Sequence, residues 1–180
     1  MADSNITKNA LATALKELMK EKPFEKISIS DICDSCGMNR KSFYYHFKDK
    51  YDLVNWIFYV DFIGKMDFSS YSNGWDLIED ICNKFYQDKE FYGEALKIEG
   101  QNNFHDYVLD TIEPISHFFI QDLYKEEQLQ DFFITFFGDA FLQAIMRWLT
   151  EGMQLTPEEF VSRLKKISVG IAAKIMEDEK

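Results

Sequence analysis

Residues 26–53, KISISDICDSCGMNRKSFYYHFKDKYDL, read as two short helices pinched around Gly37. Glycine tolerates the left-handed backbone that ends a helix, and such a turn lets the next helix leave at a steep angle. Ser30 is expected to cap the first helix, with Ile29 and Ile32 as apolar anchors and Cys33 and Cys36 as small packing residues. Asn39 is expected to cap the second. Its first turn then displays Arg40, Lys41 and Ser42, while Phe43 and Phe47, four residues apart, face inward. A helix-turn-helix with an exposed basic face suits the major groove of DNA.

The rest of the chain reads as helix. Only three prolines and eight glycines interrupt 180 residues, and no alternating β-branched runs with hairpin turns are present. An all-α fold of about nine helices is expected, with a three-helix reader over residues 1–50 and a helical regulatory and dimerisation part over 51–180. The first helix spans about Thr7–Glu21 and stops before Pro23. The fourth begins near Asp49 and runs through Ile63, leaving the reader as a rod. A turn-rich break at 67–74 precedes helices near Trp75–Gln87, Glu90–Leu96 and Phe104–Tyr124, the last kinked at Pro114.

Charge is segregated along the chain. The net charge of −11 divides into +2 over residues 1–50 and −13 over 51–180, and the balance from Met38 to Lys50 is +3. A local basic surface is what phosphate contact requires, so the acidic remainder is expected to face away from DNA. No apolar stretch is expected to span a bilayer, and MADSNITKNA lacks the apolar core of a signal peptide, which implies a cytoplasmic protein without a membrane partner.

The run from Ile6 to about Asp61 resembles the N-terminal domain of the TetR/AcrR family of bacterial transcriptional regulators. The resemblance is carried by Phe43-Tyr44-Tyr45-His46-Phe47, Lys48-Asp49-Lys50 and Asp52-Leu53, behind a first helix of some fifteen residues. Lys41 departs from the pattern, since many relatives have a small residue there. The resemblance implies base contacts from Arg40, Lys41 and Ser42. It implies phosphate contacts from Tyr44, Tyr45, Lys48 and Lys50, and from helix starts near Thr7, Ser28 and Ser30. A second, looser resemblance joins Ser42-Phe43-Tyr44, the run Asp52–Phe58, Gly74-Trp75 and Phe91-Tyr92 to the subgroup that includes activators of dihydroxyacetone kinase operons. In that subgroup a separate sugar-sensing protein docks on the second domain.

A wide apolar stripe runs from Glu126 to Glu151, and a second amphipathic helix follows the start signal Thr156-Pro157-Glu158-Glu159. Two such helices per chain suit a four-helix interface in a homodimer. Phe133, Phe137, Phe141, Ile145, Trp148, Leu164, Ile167 and Ile171 are its expected members, with Gly138 and Ala140 allowing close approach. Two readers held about 34–36 Å apart then read an inverted repeat in double-stranded DNA. The TetR-like regulators use their last two helices in the same way.

What the second part senses stays open at this level. Trp56, Trp75, Tyr86, Phe91, Phe104, Tyr107 and Phe118 either line a pocket for a small apolar effector or fill the core, since seventeen Phe must be placed somewhere. A partner sensor protein is the alternative input. Cys33-x-x-Cys36 is read as structural, and His105 and His117 as polar packing or surface residues, with no metal and no cofactor expected. No nucleophile–base pair or phosphate-binding glycine loop stands at a useful spacing, so no enzyme is expected.

Overall fold

The computed structural model describes residues 2–67, 70–120, 126–152 and 154–178. The side chains of Phe118 and Ile171 lie outside the described residues. Among the described residues nine α-helices follow one another: α1 (Ala2–Glu21), α2 (Ile29–Ser35), α3 (Arg40–His46), α4 (Lys50–Asp61), α5 (Gly74–Gln87), α6 (Lys89–Ala95), α7 (Phe104–Ile120), α8 (Glu127–Thr150) and α9 (Pro157–Asp178). No strand occurs among the described residues. Two short 3-10 turns, Phe24–Lys26 and Ile63–Lys65, follow α1 and α4.

Side-chain caps decide where these helices start. Ser28 and Asp31 exchange hydrogen bonds with each other's backbone amides at the head of α2 (2.8 and 3.1 Å), as do Asn73 with Asp76 at α5 and Thr156 with Glu159 at α9. Asp49 accepts from the amides of Tyr51 and Asp52 at the head of α4, and Asp52 accepts in return from Lys48 N. Ser28 rather than Ser30 therefore caps α2. Ser30 lies inside the helix, because only a residue three before Asp31 can close the reciprocal box. Gly37 adopts φ +68° and closes α2, with Met38 N donating to Cys33 O at 2.8 Å.

One buried cluster runs the length of the molecule. Leu11 and Leu15 of α1 meet Ile32, Phe43 and Phe47 in the reader; Leu53, Val54, Ile57 and Phe58 carry the cluster along α4. At its centre Phe58, Phe85, Tyr92 and Phe104 stack edge and face, with ring centroids 4.5–6.4 Å apart. Trp148 ties the far end together. Its indole stacks on Phe160 at 4.6 Å and on Tyr86 at 5.7 Å, and its N–H donates to Leu155 O at 3.1 Å.

α8 departs from expectation in its hydropathy. By length and composition it reaches what a bilayer span needs, although most of it is not buried inside the protein. The reason is that two of its faces are apolar: one turns toward α5 and α7, and Leu129, Phe132 and Phe136 lie on the surface. Gly138 also has a role different from the expected one. A Cβ there would meet Leu109 of α7 at 2.8 Å, so the glycine admits a neighbour in the same chain.

Candidate nucleic-acid interface and effector cavity

α3 is held from beneath and open from above. Phe43 and Phe47 are buried, and Asn39 accepts from Ser42 N at 2.9 Å and from Ser42 Oγ at 3.3 Å, which fixes the first turn. Arg40, Lys41, Tyr44, Tyr45 and Lys48 are exposed, Tyr45 to 83% of its surface. The Arg40 guanidinium lies 5.9 Å from the Tyr44 ring centre, and a hydrogen bond to Tyr44 raises its pKa further. Arg40 is thus a permanent cation with a set direction. Ser42 is half-buried and committed to Asn39.

Three expected phosphate ligands are placed otherwise. Lys50 turns inward: its ammonium donates to the carbonyls of Phe24 (2.7 Å), Glu25 (3.3 Å) and Ile27 (2.9 Å) and sits 4.3 Å from the Phe24 ring centre. Burial pulls its pKa down. Phe24 O already accepts from Ile27 N at 3.0 Å, and Lys50 adds a cationic donor to it and to the next carbonyls of the 3-10 turn and its cap. Thr7 lies in the second turn of α1, since that helix begins at Ala2, and so offers no helix-start amide. Ser28 stands exposed at the true head of α2, whereas Ser30 is one turn position inside it.

Cys33 and Cys36 do not form a reactive pair. Burial raises both thiols above their ordinary range, and Cys36 Sγ donates to the carbonyls of Ile32 and Cys33. Cys82 is buried and pushed up to about 12. These sulfurs pack as small apolar groups.

A cavity of about 800 Å³ opens between α5, α7 and α8. Its walls are mostly apolar, among them Trp75, Ile78, Leu109, Ile112, Phe119, Phe133, Phe137 and Phe141, with Asn73, Asp110, Glu113, Ser116 and Ser168 as polar points. Of the seven residues expected to line a pocket, Trp75 lines this one, Trp56 lines a smaller pocket of about 210 Å³ between α1 and α4, and Phe118 lies outside the described residues. Phe91 and Phe104 are 1% exposed and belong to the aromatic core, because α6 is wrapped by α1 and α8 and α4 packs on α7. Tyr107 faces Phe58, Tyr86 stacks on Trp148, and Trp56 lies beside Phe47 under the Lys8 ammonium.

The expected dimer residues are redistributed in the same way. Phe133, Phe137, Phe141 and Ile145 line the cavity, and Trp148 is committed to Tyr86 and Phe160. Leu164 is half-buried, while Ile167 is 61% exposed. The exposed large apolar residues of these helices are Leu129, Phe132 (67%) and Phe136 (58%), which share one face of α8, and Ile167 and Val169 on α9. The sequence stripe is wide enough for two faces. Periodicity gives its width and not which edge looks inward.

The chain is similar to known proteins over most of its length. Residues 11–57 match the family described as bacterial regulatory proteins, tetR family, and residues 73–170 match a transcriptional regulator C-terminal region of the same family. Over 109 residues the chain is 29% identical to the HTH-type dhaKLM operon transcriptional activator DhaS of Lactococcus lactis, a stretch that is 61% of this chain and 58% of that protein. The solved dihydroxyacetone kinase operon activator DhaS superposes with a TM-score of 0.65 at 22% identity, covering 92% of this chain and 95% of that one. NalD, the secondary repressor of the MexAB-OprM multidrug efflux pump of Pseudomonas aeruginosa, gives 0.67 at 14% identity with the same coverage.

Proposed function

This chain belongs to the TetR family of bacterial transcriptional regulators, and we propose that it binds an inverted-repeat operator as a homodimer under the control of a small apolar effector. In this reading residues 1–50 are the reader and 51–180 the regulatory and dimerisation part. The exposed face of α3 carries the reading. Arg40 and Lys41 enter the groove, Arg40 forking onto guanine, while Tyr44, Tyr45 and Lys48 meet the flanking phosphates. Ser28 at the head of α2 adds a helix-start contact. Ser42 acts through Asn39, holding the first turn.

The second copy is supported by the exposed face of Leu129, Phe132 and Phe136 on α8, with Ile167 exposed on α9. Covering each large side chain is worth roughly 1.5–3 kcal/mol, enough in sum to drive association. The effector is supported by the cavity, whose volume suits a drug-sized apolar molecule anchored by a few polar groups such as Asn73 and Ser116. A protein effector is the second reading, favoured by the sequence similarity to an activator of a kinase operon. The cavity favours the small molecule.

Binding to the DNA upstream of the chain's own gene, followed by fluorescence anisotropy over a salt series, tests the proposal. The triple variant Arg40→Ala, Lys41→Ala, Lys48→Ala should lose selective binding. Retention of selective binding by that variant would overturn it.

A further inference from the structure

Glu113 and His117 stand one turn apart on α7, and Asp131 of α8 faces them. Nε2 of His117 lies 3.3 Å from a carboxylate oxygen of Asp131 and 3.9 Å from one of Glu113. All three donor atoms fall within 4.8 Å of one another. The other ring nitrogen, Nδ1, is 3.3 Å from the side-chain oxygen of Gln130. An amide oxygen only accepts, so the tautomer that fits this contact is the one with the proton on Nδ1. Nε2 is then a bare lone pair beside two carboxylates. Three bases converge, a set of donors that a cation would hold together.

We propose that Glu113, His117 and Asp131 bind a divalent first-row transition-metal ion, which clasps α7 to α8. Zinc bonds to imidazole nitrogen and carboxylate oxygen measure about 2.0–2.2 Å, which in a tetrahedron sets the donors about 3.4 Å apart. The distances of 3.3 and 3.9 Å lie on either side of that value. Gln130 is the outer partner that fixes the ring and its tautomer, as second-layer groups do in metal sites. The imidazole selects Zn²⁺ or Co²⁺ over Ca²⁺, and three protein ligands leave one position open. Glu113 also belongs to the cavity wall, so the ion sits at the rim of the effector site. The trio escaped the sequence because Asp131 comes from a different helix, at no recognisable spacing from the other two.

His105 supplies an internal control. It also faces α8, but Nδ1 approaches Asp106 at 3.3 Å and Nε2 approaches Asp139 at 4.0 Å, so its two carboxylates flank opposite sides of the ring. A doubly protonated His117 is the competing arrangement, since an imidazolium also answers two carboxylates.

The test is titration of Co²⁺ into chelator-stripped protein carrying Cys36→Ser, so that no pair of thiols competes for the ion. One equivalent should bind with visible d–d bands, and Zn²⁺ should raise Tm. His117→Ala and Asp131→Asn should each abolish both effects, His105→Ala should keep them, and Gln130→Leu should weaken binding by about 10-fold. Circular dichroism of the stripped variants checks that they fold, and either variant suffices if the other does not. Absence of saturable binding, or saturable binding that survives the folded His117→Ala or Asp131→Asn variant, overturns the proposal in favour of the imidazolium.

Discussion

Lys16 on the first helix donates a 2.7 Å hydrogen bond to Asp88, seventy-two residues further along the chain. The same ammonium donates to Asp61 at 2.8 Å, at the end of α4, and Lys84 of α5 stands 3.7 Å from that carboxylate. α1, α4 and the α5–α6 junction therefore meet at one charge cluster beside the buried rings of Phe91 and Tyr92. Burial works against the Lys16 charge, yet the bonds to Asp61 and Asp88 outweigh it and the pKa is raised. The cluster joins the reader to the helices that wall the cavity, and any change in their relative placement must break or re-form it.

Lys16→Met should cost about 1–2 kcal/mol, the value of charge-assisted hydrogen bonds reduced for partial exposure. Urea unfolding measures it. A double-mutant cycle with Asp88→Asn should show coupling, and additive effects would mean that the two side chains act independently.

Lys48 and Lys50 should separate cleanly, although both are lysines of one short motif. Lys48→Ala should lower the salt slope of DNA binding by about 1 and leave stability unchanged. Lys50→Met should leave the slope alone and lower stability by about 1–3 kcal/mol, because three carbonyls lose a cationic donor. A salt series and a denaturant melt on each variant decide it.

Asp31 predicts a dependence on acid. The hydrogen bonds from Ser28, with Lys22 alongside, hold its carboxyl down to about 2, below the ordinary 3.8. A carboxylate depressed in the folded state contributes stability above its unfolded value and loses it as pH falls through the folded one. Stability of the wild type should therefore drop between about pH 4 and pH 2, and Asp31→Asn should flatten that part of the profile in urea midpoints.

Phe132→Asp with Phe136→Asp should give a folded monomer by sedimentation and remove selective operator binding, because one reader alone covers half a site. An unchanged dimer would place the interface elsewhere.

Gly138→Ala should move Leu109, whose methyl lies 2.8 Å from the added carbon, toward the cavity that it lines. Helix propensity gains about 1 kcal/mol from the same change, so stability should shift little. Binding of an apolar fluorescent probe should weaken several-fold, and unchanged binding would put the probe elsewhere.

The local grammar of the fold was readable from residue order. Gly37, Asn39 and the Thr156–Glu159 start signal lie where their caps and turns form, because a cap involves residues three or four positions apart and no distant partner. The serine that caps α2 was misplaced by two positions, since Ser28 and Ser30 are chemically alike and only the partner carboxylate of Asp31 distinguishes them. The aromatic-rich motif pointed to the family for the same reason: its meaning is carried within a dozen residues.

Which side chain faces what is another matter. Lys50 looks in sequence like a phosphate ligand and in the fold closes a turn twenty-three to twenty-six residues away. Phe133 and Phe132 are neighbours in the same stripe, yet one lines a cavity and the other lies on the surface. Helical periodicity specifies that apolar residues share a stripe and says nothing about the angle at which the next helix crosses it. That angle follows from how α5, α7, α8 and α9 settle against one another, with Leu109 of α7 packed over the bare Cα of Gly138 on α8. Class, family and the reading helix are properties of short segments and belong to the sequence. The cavity, the outward face and the Glu113–His117–Asp131 trio are properties of helix crossings, and they exist only once the chain has packed.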